Sequence, residues 1–313
     1  MVDRVTTHTQ MRAAQRNLQE NMTHLARLQE QASTLKSINR SSDDPTAAAA
    51  AMAVRAEMRA VDQYSANADN GNDWLTTIES SLGSVSDIMN RVRFLTVQGA
   101  NSGALSATAK EAIAIEIDGL KTDLLSQANT KFLGRSVFAG NSDAATAFTP
   151  AGTDSTGGAI YAYSGDTAGA NSVERRISAT STVRVDAAGE TIFGKDDEIA
   201  GTSSVFALLD NIVADLRSTD SSVNVGLRLN ELDDRMAIMT GQRSEMGARQ
   251  VQMERAQSTL LEKSGTLDAQ RSGIEDADLG QVIIDLKLQE VTYQAALAVT
   301  ARVLQPTLMD FLS

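Results

Sequence analysis

Apolar residues recur at every seventh position over a long stretch of the C-terminal half of the chain. The positions are Val225, Leu232, Met239, Met246, Met253, Leu260 and Leu267. Such a period is typical of a helix that packs along a partner helix. The positions four residues after each of these begin as Leu229 and Met236 but become polar from Arg243 onwards, so the apolar stripe is narrow. A narrow stripe favours pairing with one antiparallel helix over burial in a deep core.

The N-terminal half shows the same period in two stretches. The first glycine is Gly71, so few residues before it interrupt a helix. Apolar residues stand at Met11, Leu18, Leu25 and Ala32, and again at Val54, Val61, Ala68, Leu75, Leu82 and Met89. The second stretch predicts a helix of about 40 residues, roughly 60 Å long. The first stretch is too thinly apolar to be a stable helix alone, so we expect it to need partner helices.

The segment Ser41-Ser42-Asp43-Asp44-Pro45 predicts the break between these two helices. The Asp44 carboxylate can cap free backbone N–H groups, and Pro45 suits the first helical position, where its missing N–H costs nothing. The pair Asp43 and Asp44 could instead bind a metal ion. Because no third or fourth ligand stands nearby, we favour the helix cap at Asp44 and Pro45.

The composition changes in the middle of the chain. Residues 134–201 hold 10 of the 21 glycines, and residues 132–206 hold 7 of the 12 aromatic residues. Short runs of β-forming residues at 159–163, 173–177 and 182–185 are separated by turn residues. This pattern predicts a small β-rich insertion.

The sequence therefore predicts a mainly α fold, in which N- and C-terminal segments form a long antiparallel helical rod or coiled coil with a β-rich inserted domain. We expect residues 1–44 and 275–313 to form a terminal coiled-coil layer. Residues 45–140 and 203–274 are expected to form the helical rod domain, and residues 141–202 the β-rich insertion.

Both ends of the chain carry apolar stripes that a single helix cannot bury. We expect the two ends to pack against each other and against neighbouring subunits, so that order arises with assembly. The candidate assembly-interface residues are Leu18, Leu25, Leu28, Leu279, Ile283, Leu286, Tyr293, Leu297 and Leu304.

The residues that enzymes need are scarce in this chain. There is no cysteine, and the two histidines, His8 and His24, lie in a polar helical stretch without a ligand or catalytic partner at suitable spacing. No phosphate-binding glycine loop, nucleophile elbow or zinc-protease motif occurs. We predict no catalytic, metal-binding or cofactor-binding residues and no enzyme activity. A hydrolase that uses paired carboxylates stays open as an alternative, and a helical signalling rod is disfavoured because neither a membrane span nor a sensor domain is seen.

The charge and the hydropathy limit the possible partners. The formal net charge is -12 and the sequence pI is about 4.7, which disfavours binding to nucleic acid or to an anionic membrane. No apolar run approaches the roughly 20 residues of a membrane span, and the first residues lack the apolar segment of a cleaved signal peptide. These features indicate a cytoplasmic protein, or one exported without a cleaved signal.

Several segments at both ends resemble the flagellin superfamily. The segments are Ser42-Asp43-Asp44-Pro45, residues 63–68, 93–101, 116–129 and 134–140, Gly247-Ala248-Arg249, residues 274–279, and Tyr293-Gln294-Ala295-Ala296. Within the superfamily the chain is most similar to the hook-associated junction proteins, on residues 43–45, 137–140 and 308–312. The filament subunit, flagellin, stays the alternative.

The resemblance implies a structural subunit of the bacterial flagellar axis, between the hook and the filament. It implies secretion through the flagellar type III export apparatus, with an export chaperone bound beforehand, and an extracellular location. The implied partners are further copies of the chain, hook-associated protein 1 and flagellin, with no nucleic acid, no membrane insertion and no cofactor.

Overall fold

The computed structural model describes residues 7–101, 105–153, 159–166, 172–196, 203–218 and 225–303. Its helices are α1 (Thr7–Thr34), α2 (Pro45–Ala100), α3 (Ala107–Ala128), α4 (Gly189–Phe193), α5 (Val205–Arg217), α6 (Arg228–Glu275) and α7 (Leu279–Val303), with one 3-10 turn at Val225–Leu227. The chain divides into two compact units. Unit 1 is Met1–Ala60 with Lys263–Ser313, and unit 2 is Val61–Glu262.

In unit 1, helix α1 ends earlier than the predicted break at residues 41–45. It stops at Thr34, because Leu35 adopts a left-handed backbone conformation with φ of 58°. The backbone then pairs with the segment between α6 and α7: the Ser37 N–H donates to the Glu275 carbonyl (2.7 Å), and the Ala277 N–H donates to the Leu35 carbonyl (3.0 Å). This pairing replaces the last predicted turns of the helix.

Helix α2 begins at Pro45, directly after Asp44. The Asp44 Oδ1 atom accepts hydrogen bonds from the N–H groups of Thr46 and Ala47, each at 2.9 Å. The helix is 56 residues long and so exceeds the predicted length. The alanines at 47–51 explain the extension at the N-terminal end, since alanine has the highest helix propensity and needs no apolar period to stay helical.

In unit 2, the later part of α2 runs antiparallel to α6. Arg93 pairs with Asp233 (2.6 Å), Arg243 pairs with Glu79 (2.7 Å), and Gln257 donates to Asp69 (2.7 Å), so rising numbers on one helix meet falling numbers on the other. The seven-residue positions of α2, of α6 and of the 3-10 turn before α6 are buried in this unit, namely Val61, Ala68, Leu75, Leu82, Met89, Val225, Leu232, Met239, Met246, Met253 and Leu260. The predicted antiparallel pairing of N- and C-terminal helices is confirmed.

The middle of unit 2 contains three antiparallel two-stranded ribbons. They pair β1 (Lys131–Phe132) with β2 (Arg135–Ser136), β3 (Phe148–Thr153) with β4 (Ala159–Tyr163), and β5 (Glu174–Arg176) with β6 (Thr182–Arg184). The predicted strand runs coincide with β4, β5 and β6. The mainly α fold with a small strand-containing middle region is thus confirmed, whereas the exact domain boundaries stay a prediction.

An aromatic cluster joins the ribbons to helix α5. The ring of Phe148 lies 5.3 Å from that of Phe206 and 5.5 Å from that of Phe193, and Phe138 meets Phe193 edge-on at 5.3 Å. All four rings are almost completely buried. Gly189 lies against this cluster, where an added Cβ would come within 2.6 Å of the Phe138 carbonyl oxygen. The strand-containing region therefore has a core that it shares with α5.

Candidate assembly surface

Helices α1 and α7 of unit 1 pack against each other. The Gln289 side-chain amide donates to the Asn21 backbone carbonyl (3.3 Å) and to its side-chain oxygen (3.2 Å). Lys36, which follows α1, pairs in antiparallel fashion with Asp276, which precedes α7. The two helices are therefore antiparallel.

The predicted interface residues divide into three groups. Those that lie between α1 and α7 are half-buried or buried within the chain itself: Leu18, Leu25, Leu28, Leu286 and Tyr293. Those that stay exposed on α7 are Leu279, Ile283 and Leu297. Leu304 lies outside the described residues. Whether these side chains contact a neighbouring subunit stays a prediction.

The opposite side of α7 carries a second apolar stripe, which the sequence analysis missed. Ile284, Leu288 and Val291 are 63%, 65% and 63% exposed, and Val299 continues the stripe. At about 100° per residue, Ile284 and Leu288 point roughly 140–180° away from Leu286 and Tyr293. Helix α7 is thus apolar on two opposite sides, and α1 covers only one of them.

The missed stripe has the same spacing as the one that was found. Ile284, Leu288 and Val291 follow the i, i+4, i+7 pattern of a buried helix face. The predicted interface residues of this segment follow two seven-residue registers, Leu279–Leu286–Tyr293 and Ile283–Leu297–Leu304, and neither register contains Ile284, Leu288 or Val291. A helix with apolar residues all round is normally buried on all sides. This apolar content of α7 was the sequence signal that could have predicted two contact faces.

An ion pair ties α2 to the end of α6 within unit 1. The Arg55 Nη2 atom lies 2.6 Å from the Glu275 Oε2 atom, and Glu275 is only 5% exposed. The hydrogen bond from Arg55 to Glu275, together with the charge of that carboxylate, raises the pKa of the guanidinium. Glu275 itself takes part in the pairing with residues 35–37, since its carbonyl accepts from the Ser37 N–H, so the ion pair holds the connection from α6 to α7 in place.

The described residues offer no arrangement for metal chemistry. Within the described ranges, no three His, Asp or Glu side chains are grouped so that they could hold a metal ion. His24 is exposed on α1, and the His8 side chain lies outside the described part.

None of the described helices combines the length and the hydropathy that a bilayer-spanning segment needs.

The chain belongs to the bacterial flagellin family. Residues 5–143 match the bacterial flagellin N-terminal helical region, and residues 229–312 match the bacterial flagellin C-terminal helical region. These two matches cover the antiparallel N- and C-terminal helices on either side of the strand-containing middle.

Individual relatives include both filament and hook-associated proteins. The chain is 27% identical to flagellin of Bacillus subtilis over 267 residues, which is 85% of this chain and 84% of that protein. It is 26% identical to flagellar hook-associated protein 3 of Escherichia coli over 290 residues, which is 85% of this chain and 86% of that protein. Among solved structures, a putative flagellar hook-associated protein from Vibrio parahaemolyticus has the same fold, with a TM-score of 0.65 and 23% identity over 75% of this chain and all of that one.

Proposed function

We propose that the chain is a structural subunit of the bacterial flagellum that forms the junction between hook and filament. The uncovered apolar side of α7 carries this proposal. Burying a large apolar side chain contributes roughly 1.5–3 kcal/mol, so Ile284, Leu288 and Val291 together favour a further helix at this face. The likeness to hook-associated protein 3 supports the position at the junction.

The proposal includes the partners and the location. Copies of the chain cover the second side of α7 for one another, with hook-associated protein 1 on the hook side and flagellin on the filament side. The chain reaches this extracellular site through the type III export apparatus, after a chaperone has bound it in the cytoplasm. The function is assembly rather than catalysis, and residues 1–44 with 275–313 act as the terminal layer.

A filament subunit is the second candidate, and the likeness to Bacillus subtilis flagellin supports it. Immunogold labelling of the chain on intact flagella separates the two. We expect one labelled band where the filament leaves the hook. Label along the whole filament would show a filament subunit instead.

The assembly surface is tested with Leu288→Asp in a strain that lacks the natural copy. A charge in a dry helical seam is strongly unfavourable, so we expect the subunit to be secreted while flagellin is lost to the medium. Gln294→Asp is the matched control, since it adds the same charge at an exposed polar position of α7. Normal filaments with Leu288→Asp would contradict an assembly role for this face.

A further inference from the structure

The inner side of α7, the side that packs on α1, carries a seam of residues at alternating intervals of four and three. These residues are all buried or half-buried: Val282, Leu286, Gln289, Tyr293 and Ala296. Helix α1 has a seam with the same intervals, and its residues are likewise buried or half-buried: Ala14, Leu18, Asn21, Leu25, Leu28 and Ala32. Each of the two seams therefore contains one amide side chain among largely apolar residues.

The two amides of the seams meet each other. The Gln289 Nε2 atom donates to the Asn21 Oδ1 atom at 3.2 Å and to the Asn21 carbonyl oxygen at 3.3 Å. Because the helices are antiparallel, one heptad along the seams from this pair brings Leu28 level with Val282. These two side chains are the most buried of both seams, with 7% and 8% exposed. Their burial agrees with the register that the amide pair defines.

The outer side of α7 has an equivalent seam that contains no amide. Its residues have the same intervals and are all exposed: Ile284, Leu288, Val291, Ala295 and Ala298. Apolar residues at heptad spacing suit the packing of a helix on either side of α7. On the outer side, however, Asn21 would lie among apolar side chains such as Leu288 and Val291, without a hydrogen-bond partner in the seam. The amide of α1 therefore distinguishes the two sides.

A displacement of α1 along the inner side is disfavoured for the same reason. A shift by one heptad would bring Asn21 level with Val282 or with Ala296, and Gln289 would lose its acceptor. The apolar contacts of the seam would largely be retained, whereas both amides would be left without a partner. A buried polar group without a partner costs more than a satisfied hydrogen bond contributes. A single Asn in a heptad seam can fix the register of two helices in this way.

We propose that Asn21 and Gln289 are the residues that determine the pairing of α1 with α7. Their hydrogen bond selects the inner side of α7 and fixes the register, and the outer seam consequently stays uncovered by α1 of the same chain. The inference goes beyond the proposed function, since it concerns the packing of two helices within one chain. It does not depend on the place of the chain in the flagellum.

The natural chain contains no cysteine, so introduced disulfides report the pairing directly. An inner reporter combines Ala14→Cys with Ala296→Cys, which lie level with each other in the register of the amide pair. An outer reporter combines Ala14→Cys with Ala298→Cys, which lies about half a turn further round α7 on the outer seam. Each full-length chain is purified and oxidised at low concentration, and the disulfide within one chain is measured on a non-reducing gel.

With the natural amides, the inner reporter should give roughly tenfold more disulfide than the outer one, because an amide without a partner disfavours the outer side by about this factor. Asn21→Leu together with Gln289→Leu should lower the ratio to about twofold, since both sides of α7 are then equally apolar to α1. An unchanged ratio would show that the backbone pairing of residues 35–37 with residues 275–277 selects the side without the amides. That result would overturn the inference, as would equal yields from the two reporters with the natural amides.

The matched control is Gln19→Leu together with Gln294→Leu, which removes two amides from exposed positions of the same helices. It should leave the ratio as in the natural chain, and an equal fall in the control would overturn the inference, because added hydrophobicity alone would then explain the result. Circular dichroism should show no loss of helix in the variant with leucine at positions 21 and 289. A fall of the ratio with a loss of helix would count against the inference, since unfolding and not a change of side would then explain it.

Discussion

Arg55 and Glu275 form an ion pair of 2.6 Å in which the two partners differ greatly in exposure. The Arg55 side chain is 48% exposed and that of Glu275 is 7% exposed, and the second oxygen of Glu275, Oε1, is buried with no hydrogen-bond partner among the described residues. Within the described part of the chain, the carboxylate thus depends on a single cation that comes from the solvent side. Unit 1 is therefore sensitive to the loss of that cation.

Arg55→Met should lower the melting temperature, because it leaves a buried carboxylate without a counter-charge. Lys263→Met is the matched control. It removes a 2.6 Å pair with Glu57 in which both partners are about half exposed, and such pairs contribute only about 0–1 kcal/mol. Thermal unfolding followed by circular dichroism should show a several-fold larger shift for Arg55→Met. The double variant with Glu275→Met should recover much of the loss, and equal shifts for the two single variants would argue against this account.

Two glycines of α2 should respond differently to alanine. An added Cβ at Gly83 would have Arg243 Nη2 as its nearest neighbour at 3.7 Å, whereas one at Gly99 would lie 2.5 Å from Leu216 Cδ2. Gly83→Ala should therefore stabilise the helix by about 0.5–1 kcal/mol. Gly99→Ala should gain nothing or lose stability, because Leu216 must move. Denaturant unfolding measures both, and an equal gain at Gly99 would refute the close approach.

Stability should fall at high pH through Tyr163. Its hydroxyl donates to the Phe138 carbonyl at 2.9 Å, and burial raises the pKa of Tyr163 to about 12. The unfolded chain loses this proton near its ordinary pKa of about 10, so the folded state binds more protons between the two values. The free energy of unfolding then falls by about 1.4 kcal/mol per pH unit in that window.

Tyr163→Phe isolates this contribution. The variant loses a hydrogen bond at neutral pH but should lack the additional alkaline loss of stability. Burial also raises the pKa of Tyr161, and this residue is present in both proteins, so the difference between them belongs to Tyr163. Urea unfolding of both proteins at about pH 9 and about pH 11 gives the comparison. An equal fall in the free energy of unfolding between the two pH values in both proteins would disprove the assignment.

The aromatic cluster should be essential to unit 2. Phe206 has no exposed surface, and its ring lies 5.0 Å from that of Tyr161 and 6.0 Å from that of Phe193. Phe206→Ala should cost about 3–5 kcal/mol of unfolding free energy. Phe94→Ala, with the same change in an exposed ring, should cost less than about 0.5 kcal/mol. Similar losses in denaturant unfolding would show that exposure does not separate the two rings.

The helical pairing could be predicted because its signal is local and repeated. Every seven-residue position from Val225 to Leu267 is buried, and a period of this length leaves little choice of structure. The strand runs at 159–163 and 182–185 were also recognisable, because β-forming residues stand between turn residues there. In each case the secondary structure could be predicted from residues that are close together in the sequence.

The remaining features depend on contacts between distant parts of the chain. The end of α1 at Thr34 follows from backbone pairing of residues 35–37 with residues 275–277. The residues next to Leu35 in the sequence do not predict its left-handed backbone conformation. The cluster of Phe138, Phe148, Phe193 and Phe206 likewise brings together four distant segments. Of the predicted assembly residues, Leu286 and Tyr293 face α1 of the same chain. The sequence of a helix with two apolar sides does not indicate which side the rest of the chain will cover.

Under the proposed function, the two-sided apolar character of α7 would set a critical concentration for the free subunit. Below that concentration the stripe of Ile284, Leu288 and Val291 would face water, and above it copies would add to a growing end. Each 1.4 kcal/mol of burial shifts this threshold about tenfold. Replacing one of the three side chains with alanine would thus raise the concentration of unassembled subunit without altering the fold. The apolar area of a single helix face would in this way set the ratio of free to assembled subunits.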